Sequence, residues 1–157
     1  MPSYMSPGVY VEEVPSGSAP IAGVGTSTAG FIGVVPDDAS MPSLPDGSQY
    51  RIAPAGEPQL VTNVGEFTRK FGEVANDVTT NSVLGHAVRG FFLNGGTRCW
   101  VTRVTALIAG ESNDPIDDAL TALEAIDEVA LVSAPIKPPE GVDAIRVKAI
   151  QEKLLDH

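Results

Sequence analysis

Hydrophobic positions recur along the chain with two different periods, which predict strands in some segments and helices in others. Near the N-terminus, Val9 and Val11 alternate with Tyr10, the period of two that is expected of a strand. Pro7 and Pro15 bound this run and prevent its extension as a helix or as a hydrogen-bonded ladder. A short extended segment is therefore predicted in front of the rest of the chain.

Residues 1–20 are predicted to form an extended arm and a linker. The Ser-Gly-Ser-Ala-Pro run of residues 16–20 is typical of a flexible link. Fully extended, the first 18 residues span roughly 60 Å at about 3.3 Å per residue, which exceeds the width of a domain of this size. Two interpretations remain open: an edge strand folded back onto its own domain, or a strand added to the sheet of a neighbouring subunit.

Residues 21–157 are predicted to form one α/β domain. The predicted strands cover residues 26–35, 59–63, 97–104 and 129–133, and the predicted helices cover residues 64–71, 83–92, 115–126 and 142–155. Residues 37–58 are rich in proline and lack periodicity, which predicts a long surface loop. The order strand, helix, strand, helix from residue 97 onward favours an α/β layer with a parallel pair. The predicted fold class is thus mixed α/β (α+β), a mixed sheet with packed helices behind an extended arm.

Composition narrows the classes of function. With 43% hydrophobic residues in 157, the chain can bury a substantial core. A formal net charge of -10 argues against nucleic acid and anionic membranes as partners, because both are polyanionic and bind clusters of Lys and Arg. The single cysteine excludes an internal disulfide framework and suits a reducing compartment. The longest apolar runs fall short of the 18 or so residues of a membrane-spanning helix, so production in a cytoplasm is expected.

Charged residues are segregated along the chain. Residues 1–50 contain five acidic residues and no Lys or Arg, whereas residues 78–110 contain Arg89, Arg98 and Arg103 and no acid. One interpretation is that the acidic arm steers one copy onto the basic segment of another. The other interpretation is chance segregation, and the sequence does not decide between them.

The glycines of the GVGTSTAG run resemble a dinucleotide-binding loop only superficially. Gly23, Gly25 and Gly30 are present, but Thr28 occupies the third glycine position and a strand-like run rather than a helix follows. We therefore expect no nucleotide cofactor at this run.

The remaining chemically active side chains also have simpler explanations. Cys99 lies in a β-rich run beside the only Trp and is predicted to be a buried thiol. Two histidines, His86 and His157, with one cysteine make no recognisable metal set. The acidic cluster is explained by helix capping better than by a calcium or acid–base site; it comprises Glu111, Asp114, Asp117 and Asp118. No catalytic residue, cofactor or metal is predicted.

Three segments together resemble the N-terminal part of contractile-tail sheath proteins. They are YMSPGVYVEEV at residues 4–14, GVGTSTAGFIGVV at residues 23–35 and FFLNGGTRCWVTRV at residues 91–104. Such sheaths occur in phage tails, in R-type tailocins and in extracellular contractile injection particles, and the arm most resembles the last branch. The resemblance is strong over residues 4–104 and weaker to about residue 135.

The resemblance implies a structural protein rather than an enzyme. In the family, the N-terminal arm adds a strand to a sheet of adjacent subunits, and this link persists while the sheath shortens and drives an inner tube through a target envelope. The linking residues implied here are Tyr4, Pro7, Gly8, Val9, Tyr10, Val11, Glu12, Glu13 and Val14. The implied partners are further copies of the chain, the inner tube protein, and baseplate and terminal cap proteins. Neither nucleic acid nor direct membrane insertion is implied, and assembly is expected in a bacterial cytoplasm.

Family members continue well beyond 157 residues, so the chain is expected to be part of a longer protein. Two alternatives to a sheath subunit remain. The first is an adaptor or cap protein at the end of a contractile tail, and the second is a small-molecule-binding α/β domain.

Overall fold

The computed structural model describes residues 28–74, 82–106, 115–135 and 144–156. Within them lie four strands and four helices. The strands are β1 (Ala29–Val34), β2 (Gln59–Val61), β3 (Cys99–Val104) and β4 (Leu131–Ser133). The helices are α1 (Val64–Phe71), α2 (Ser82–Leu93), α3 (Pro115–Glu124) and α4 (Ala144–Asp156). The predicted mixed α/β fold is confirmed for these residues.

The four strands form one mixed sheet in the order β2-β3-β1-β4. β1 pairs in parallel with β3 from Ala29 opposite Cys99 to Val34 opposite Val104, and β4 pairs in parallel with the first half of β1. β2 runs antiparallel to β3 and forms one edge. β3 and β4 run parallel to each other, as predicted. They are not neighbours, however, because β1 lies between them, and the local sequence pattern does not indicate this position of β1.

Helices cover both faces of the sheet because successive side chains of a strand point to opposite faces. Phe31 of β1 and Val101 of β3 pack with α1 and α2, whereas Ile32 and Val104 pack with α3 and α4. The connection from β1 to β3 crosses the sheet towards β2, whereas the connection from β3 to β4 crosses it in the opposite direction, past β1. Right-handed crossovers in opposite directions place their helices on opposite faces, which accounts for the layered arrangement.

Two glycines of β1 allow the helices to approach closely. A Cβ atom added at Gly33 would lie 2.8 Å from the Cβ atom of Leu84 in α2. A Cβ atom added at Gly30, on the other face, would lie 3.1 Å from side-chain atoms of Leu123 and Val129. These two glycines therefore serve packing on both sides of the sheet, and Gly30 lies within a strand rather than in a phosphate-binding loop.

Helix α1 has the bounds predicted from the sequence, and its first turn shows why. The Asn63 side chain accepts a hydrogen bond from the backbone N–H of Glu66 at 2.9 Å, and the Glu66 carboxylate accepts one from the backbone N–H of Thr62 at the same distance. This reciprocal cap ends β2 at Val61, two residues before the predicted end. Burial raises the pKa of Glu66, but hydrogen bonds from Thr62 and Lys70 outweigh it and leave the pKa below its ordinary value.

The proline-rich loop of residues 37–58 contains one isolated β-bridge, between Ser43 and Gln49, and otherwise no strand or helix, as predicted. It is not a surface loop along its whole length. Ala53 is buried, and its backbone N–H donates to the Lys70 carbonyl at 2.8 Å. The Gly56 N–H donates to the Arg103 carbonyl at 2.9 Å. The loop is thus fixed at two points, once to helix α1 and once to strand β3.

The other boundaries differ from the predictions by a few residues at the ends. β3 and β4 each begin two residues later than predicted, and α3 ends at Glu124 rather than at residue 126. Gly95 has a φ of 91°, a backbone conformation that favours glycine, and stops α2 as predicted. The predicted capping residues at positions 80, 81 and 114 lie outside the described residues.

The glycine packing gives a paired prediction. Gly33→Ala should destabilise the fold by about 1–3 kcal/mol, because the added methyl group collides with the Cβ atom of Leu84. The control is Gly90→Ala in α2, where an added Cβ meets nothing within 4 Å. That change should stabilise by about 0.5–1 kcal/mol, because alanine is the better helix former. Urea unfolding measures both values, and shifts of the same sign would contradict the packing.

Candidate functional site

The arm residues predicted to link subunits, Tyr4 and residues 7–14, lie outside the described part of the chain. Their role therefore stays a prediction. The described residues contain a four-stranded sheet with β2 and β4 at its edges. Three features of that sheet bear on function: the carboxyl ends of β1 and β3, the edge formed by β2, and the edge formed by β4.

At the carboxyl ends of β1 and β3 the structure buries a charged side chain, Arg103, of which only 4% is exposed. Its Nε–H donates to the Ala53 carbonyl, and its Nη1–H donates to the Val35 carbonyl at 2.9 Å. Its Nη2 atom lies 2.7 Å from Oδ1 of Asp37, whose side chain is 72% exposed. The guanidinium group therefore joins β3, the end of β1 and the loop that follows.

This arrangement fills the place where open α/β sheets most often bind ligands. In such folds ligands bind beyond the carboxyl ends of the strands, where neighbouring connections leave for opposite faces. Here that place lies between β1 and β3, and the loop bonded to Arg103 and to its carbonyl occupies it. The geometry gives the small-molecule-binding interpretation no support at this position.

The basic segment identified in the sequence is largely paired within its own chain. Arg103 is buried as described, and Nη2 of Arg98 lies 2.6 Å from Oε2 of Glu128. Arg89 is exposed on α2. Of the three arginines, two thus hold loops to the sheet, which weakens the interpretation of this segment as an attractive surface for an acidic arm.

Cys99 is fully buried in β3, as predicted. Burial first, and then the negative charge of Glu66, raise the pKa of its thiol to about 12. Because the thiolate is the reactive form, this environment makes Cys99 a poor nucleophile and a poor metal ligand at neutral pH.

The other polar residues considered in the sequence are not brought together. His86 is exposed on α2, and Asp117 forms an ion pair of 2.6 Å with Lys153 that joins α3 to α4. Glu111 and Asp114 lie outside the described residues. Within the described ranges no group of three His, Cys, Asp or Glu side chains is placed to hold a metal ion, and none of the helices described there is long and apolar enough to cross a membrane.

The two edges of the sheet differ in their protection. At the β2 edge, the Lys70 Nζ atom donates a hydrogen bond of 2.7 Å to the Leu60 carbonyl, and the same ammonium lies 3.0 Å from the Glu66 carboxylate. Lys70 lies in α1, and its ammonium group bonds to a carbonyl of the edge strand; a charged lysine at an edge is a common means of preventing further pairing. The β2 edge is thus occupied by the protein's own side chain.

The β4 edge is open by comparison. Among the described residues no strand pairs with its outer side. Leu131 is 63% exposed and Val132 is 40% exposed, although both are hydrophobic residues of the strand predicted from the sequence. The backbone of β4 is nonetheless firmly placed, because it pairs with β1 and because the Ala130 N–H donates to the Thr28 carbonyl at 3.0 Å.

Two contacts hold the turn that leads into β4. The Trp100 Nε1–H donates to Oε1 of Glu128 at 2.6 Å, and Arg98 binds the other carboxylate oxygen. β3 therefore holds the chain just before β4. An edge whose supporting turn is fixed in this way is preorganised for pairing, because less order is lost when a further strand binds.

Beneath β4, on the face covered by α3 and α4, lies an open cavity of about 430 Å³. Most of its lining is aliphatic, and Glu124 and Asp127 are the charged residues in it; the aliphatic residues include Leu120, Leu123, Ile126, Val129, Val132 and Leu154. Among the described residues that line it there is no nucleophile, no histidine and no paired acid and base. The cavity and the β4 edge together form the candidate site, which we call the β4 edge site.

The buried guanidinium group generates a prediction about stability. Arg103→Met should destabilise the fold by about 3 kcal/mol, because the carbonyls of Ala53 and Val35 lose a charged donor in a buried place. The control is Asp37→Asn, which should cost less than about 1 kcal/mol because Asp37 is solvated. Urea unfolding compares the two variants, and equal losses would show that the ion pair rather than the carbonyl contacts matters.

The buried thiol generates a second prediction. With a pKa of about 12, roughly one Cys99 in 10,000 is a thiolate at pH 8, and the side chain is inaccessible. Ellman's reagent should therefore react at least 100-fold more slowly with the native protein than with the protein in denaturant. A fast native reaction would mean that β3 opens readily.

A scan against protein-family models finds no match for this chain, and a search of curated proteins finds no significant relative.

Proposed function

We propose that this chain is a structural subunit of the contractile sheath of a phage tail-like injection particle. The observation that carries the proposal is the order of three sequence segments, residues 4–14, 23–35 and 91–104, which resembles the N-terminal part of sheath proteins. A subunit of this kind assembles around an inner tube and shortens, and its energy is stored in the extended lattice rather than supplied by catalysis.

The positions of these segments in the fold support the proposal. The second segment contains β1, and the third runs from the end of α2 through β3. These two strands pair over six residue positions at the centre of the sheet. Two of the three segments that resemble sheath proteins therefore contain the central strands of the domain. The resemblance is not confined to exposed loops.

The arm suits repeated weak association. Main-chain hydrogen bonds of an added strand contribute only about 1 kcal/mol each, so one arm of eight residues binds weakly by itself. In a lattice, neighbouring links raise the effective concentration of every arm, and the weak contacts become a stable network. Each arm can then follow its neighbour while the subunits rotate.

An adaptor or cap at the end of a contractile tail is the alternative that uses the same features. Such a protein would engage an edge once per copy and form a ring, whereas a sheath subunit engages it repeatedly and forms a tube. Electron microscopy of the full-length protein, expressed together with the inner tube protein in a bacterial cytoplasm, distinguishes tubes from rings.

Removal of the arm tests the proposal. In the full-length protein, deletion of residues 1–18 should abolish long sheaths and change the melting temperature by less than about 2 °C, because the arm contributes to assembly rather than to the domain core. Val9→Pro combined with Val11→Pro should shorten the sheaths, since each proline removes a backbone donor. Negative-stain microscopy and a thermal melt provide the two readouts.

The matched control is Ser18→Pro, which places a proline in the linker rather than in the strand. It should leave sheath length unchanged. Normal tubes from the arm-deleted protein would exclude linkage by the arm. A fall in melting temperature of more than about 5 °C would instead favour an arm folded back on its own domain.

A further inference from the structure

We propose that the cavity beneath β4 binds an amphipathic helix of another protein, and that this helix carries Lys or Arg beside its apolar face. The inference goes beyond the proposed function and does not depend on it. Four observations carry it: the exposed apolar residues around the cavity, the acidic residues that line it, its place in the helix layer, and the fixed turn that forms one of its walls.

Exposed apolar side chains are grouped around the cavity. Val132 of β4 lines the cavity and is 40% exposed, and Leu154 lines it from the last turn of α4. The next residue of α4, Leu155, is 84% exposed. Exposed apolar residues grouped in this way mark an interaction site more often than a single exposed leucine does. A helix covers the cavity and its surroundings, whereas a small ligand in this open cavity would leave Leu155 in water.

Charge selects the partner. Of the described residues that line the cavity, two are charged, Glu124 and Asp127, and both are acidic and exposed. A second copy of the chain is disfavoured, because each copy has a formal net charge of -10. The N-terminal arm is disfavoured too, because residues 1–50 contain five acidic residues and no Lys or Arg. A helix of another protein with Lys or Arg beside its apolar face complements both the aliphatic lining and the two carboxylates.

The position of the cavity favours a helix over a strand. The cavity lies on the face of the sheet that α3 and α4 cover, and both helices contribute to its lining. A strand added to β4 would lie in the plane of the sheet and would leave much of this space empty. A further helix would lie in the same layer as α3 and α4. Apolar residues at i, i+3, i+4 and i+7 on one of its faces would then point into the cavity.

One wall of the cavity is held in place by contacts within the chain. The Val129 N–H donates to the Ile126 carbonyl at 3.0 Å, and both residues line the cavity. Glu128, between them, is bonded to Trp100 and to Arg98. A wall fixed in this way loses little further order when a partner binds, which favours affinity.

Two model peptides test the inference. One is a helical peptide of Leu and Lys with leucines at i, i+3, i+4 and i+7, and the other carries Glu in place of every Lys. Each peptide is labelled with a fluorophore and titrated with the full-length protein, and the anisotropy gives the Kd. We expect saturable binding of one Lys peptide per chain. Binding of the Glu peptide should be at least about ten-fold weaker, because it brings further acids to Glu124 and Asp127.

Charge variants locate the binding site. Glu124→Gln combined with Asp127→Asn should weaken binding of the Lys peptide about five-fold, because two ionic contacts at the edge of the interface are lost. The matched control is Asp38→Asn combined with Glu57→Gln, which removes the same charge from exposed positions of the loop of residues 37–58. The control should change the Kd by less than about two-fold.

Neighbouring residues of β4 distinguish a helix in the cavity from a strand on the edge, because their side chains point to opposite faces of the sheet. Val132→Ser should weaken binding of the Lys peptide about ten-fold, since Val132 lines the cavity. Leu131→Ser should change the Kd by less than about two-fold, since Leu131 is on the other face. Both residues are exposed, and a thermal melt checks that both variants stay folded.

Four results would each overturn the inference. Equal losses from Val132→Ser and Leu131→Ser would indicate a strand on the edge. Equal losses from the two charge variants would indicate general attraction between a basic peptide and an acidic protein. Equal affinity for the two peptides would show that the acidic residues select nothing. No saturable binding of the Lys peptide would show that the cavity is closed to a partner helix.

Discussion

The packing of both helix layers against β1 is the constraint on which the rest of the structure depends. β1 pairs with β3 on one side and with β4 on the other, and its two faces are covered by different helices. Glycines at positions 30 and 33 remove the side chains that would hold those helices away. A strand buried on both faces needs small or apolar residues throughout, and this run has them.

The hydrogen bonds of Arg103 close the position at which sheets of this kind often bind a ligand. Its guanidinium group fixes the loop that follows β1 over the carboxyl ends of the parallel strands. Doubly wound sheets of similar order often use that place for a ligand, and here the chain itself fills it. The surface left for interaction is consequently at the side of the sheet rather than at its end.

The two sides of the sheet are unequal, and this asymmetry suits directed assembly. A subunit with two open edges would associate in several ways, whereas one protected edge and one open edge define a single direction of addition. Lys70 protects β2, and the exposed Leu131 and Val132 mark β4. A protein that binds itself head to tail forms open helical assemblies when the rotation does not close.

The sequence by itself determined the type and approximate bounds of every described element, because hydrophobic periods, caps and glycine stops act over a few residues. Helix α1 is the clearest case, with Asn63 and Glu66 at its start and Gly72 at its end. The burial of Cys99 also followed from its local setting. Only the tertiary structure decided that β1 lies between β3 and β4 and that β4 forms an exposed edge. It also decided that Arg103 is buried and that it pairs with Asp37, which is 66 residues away in the sequence. Strand order and the pairing of distant groups depend on contacts between segments far apart in the chain, and no local pattern encodes them.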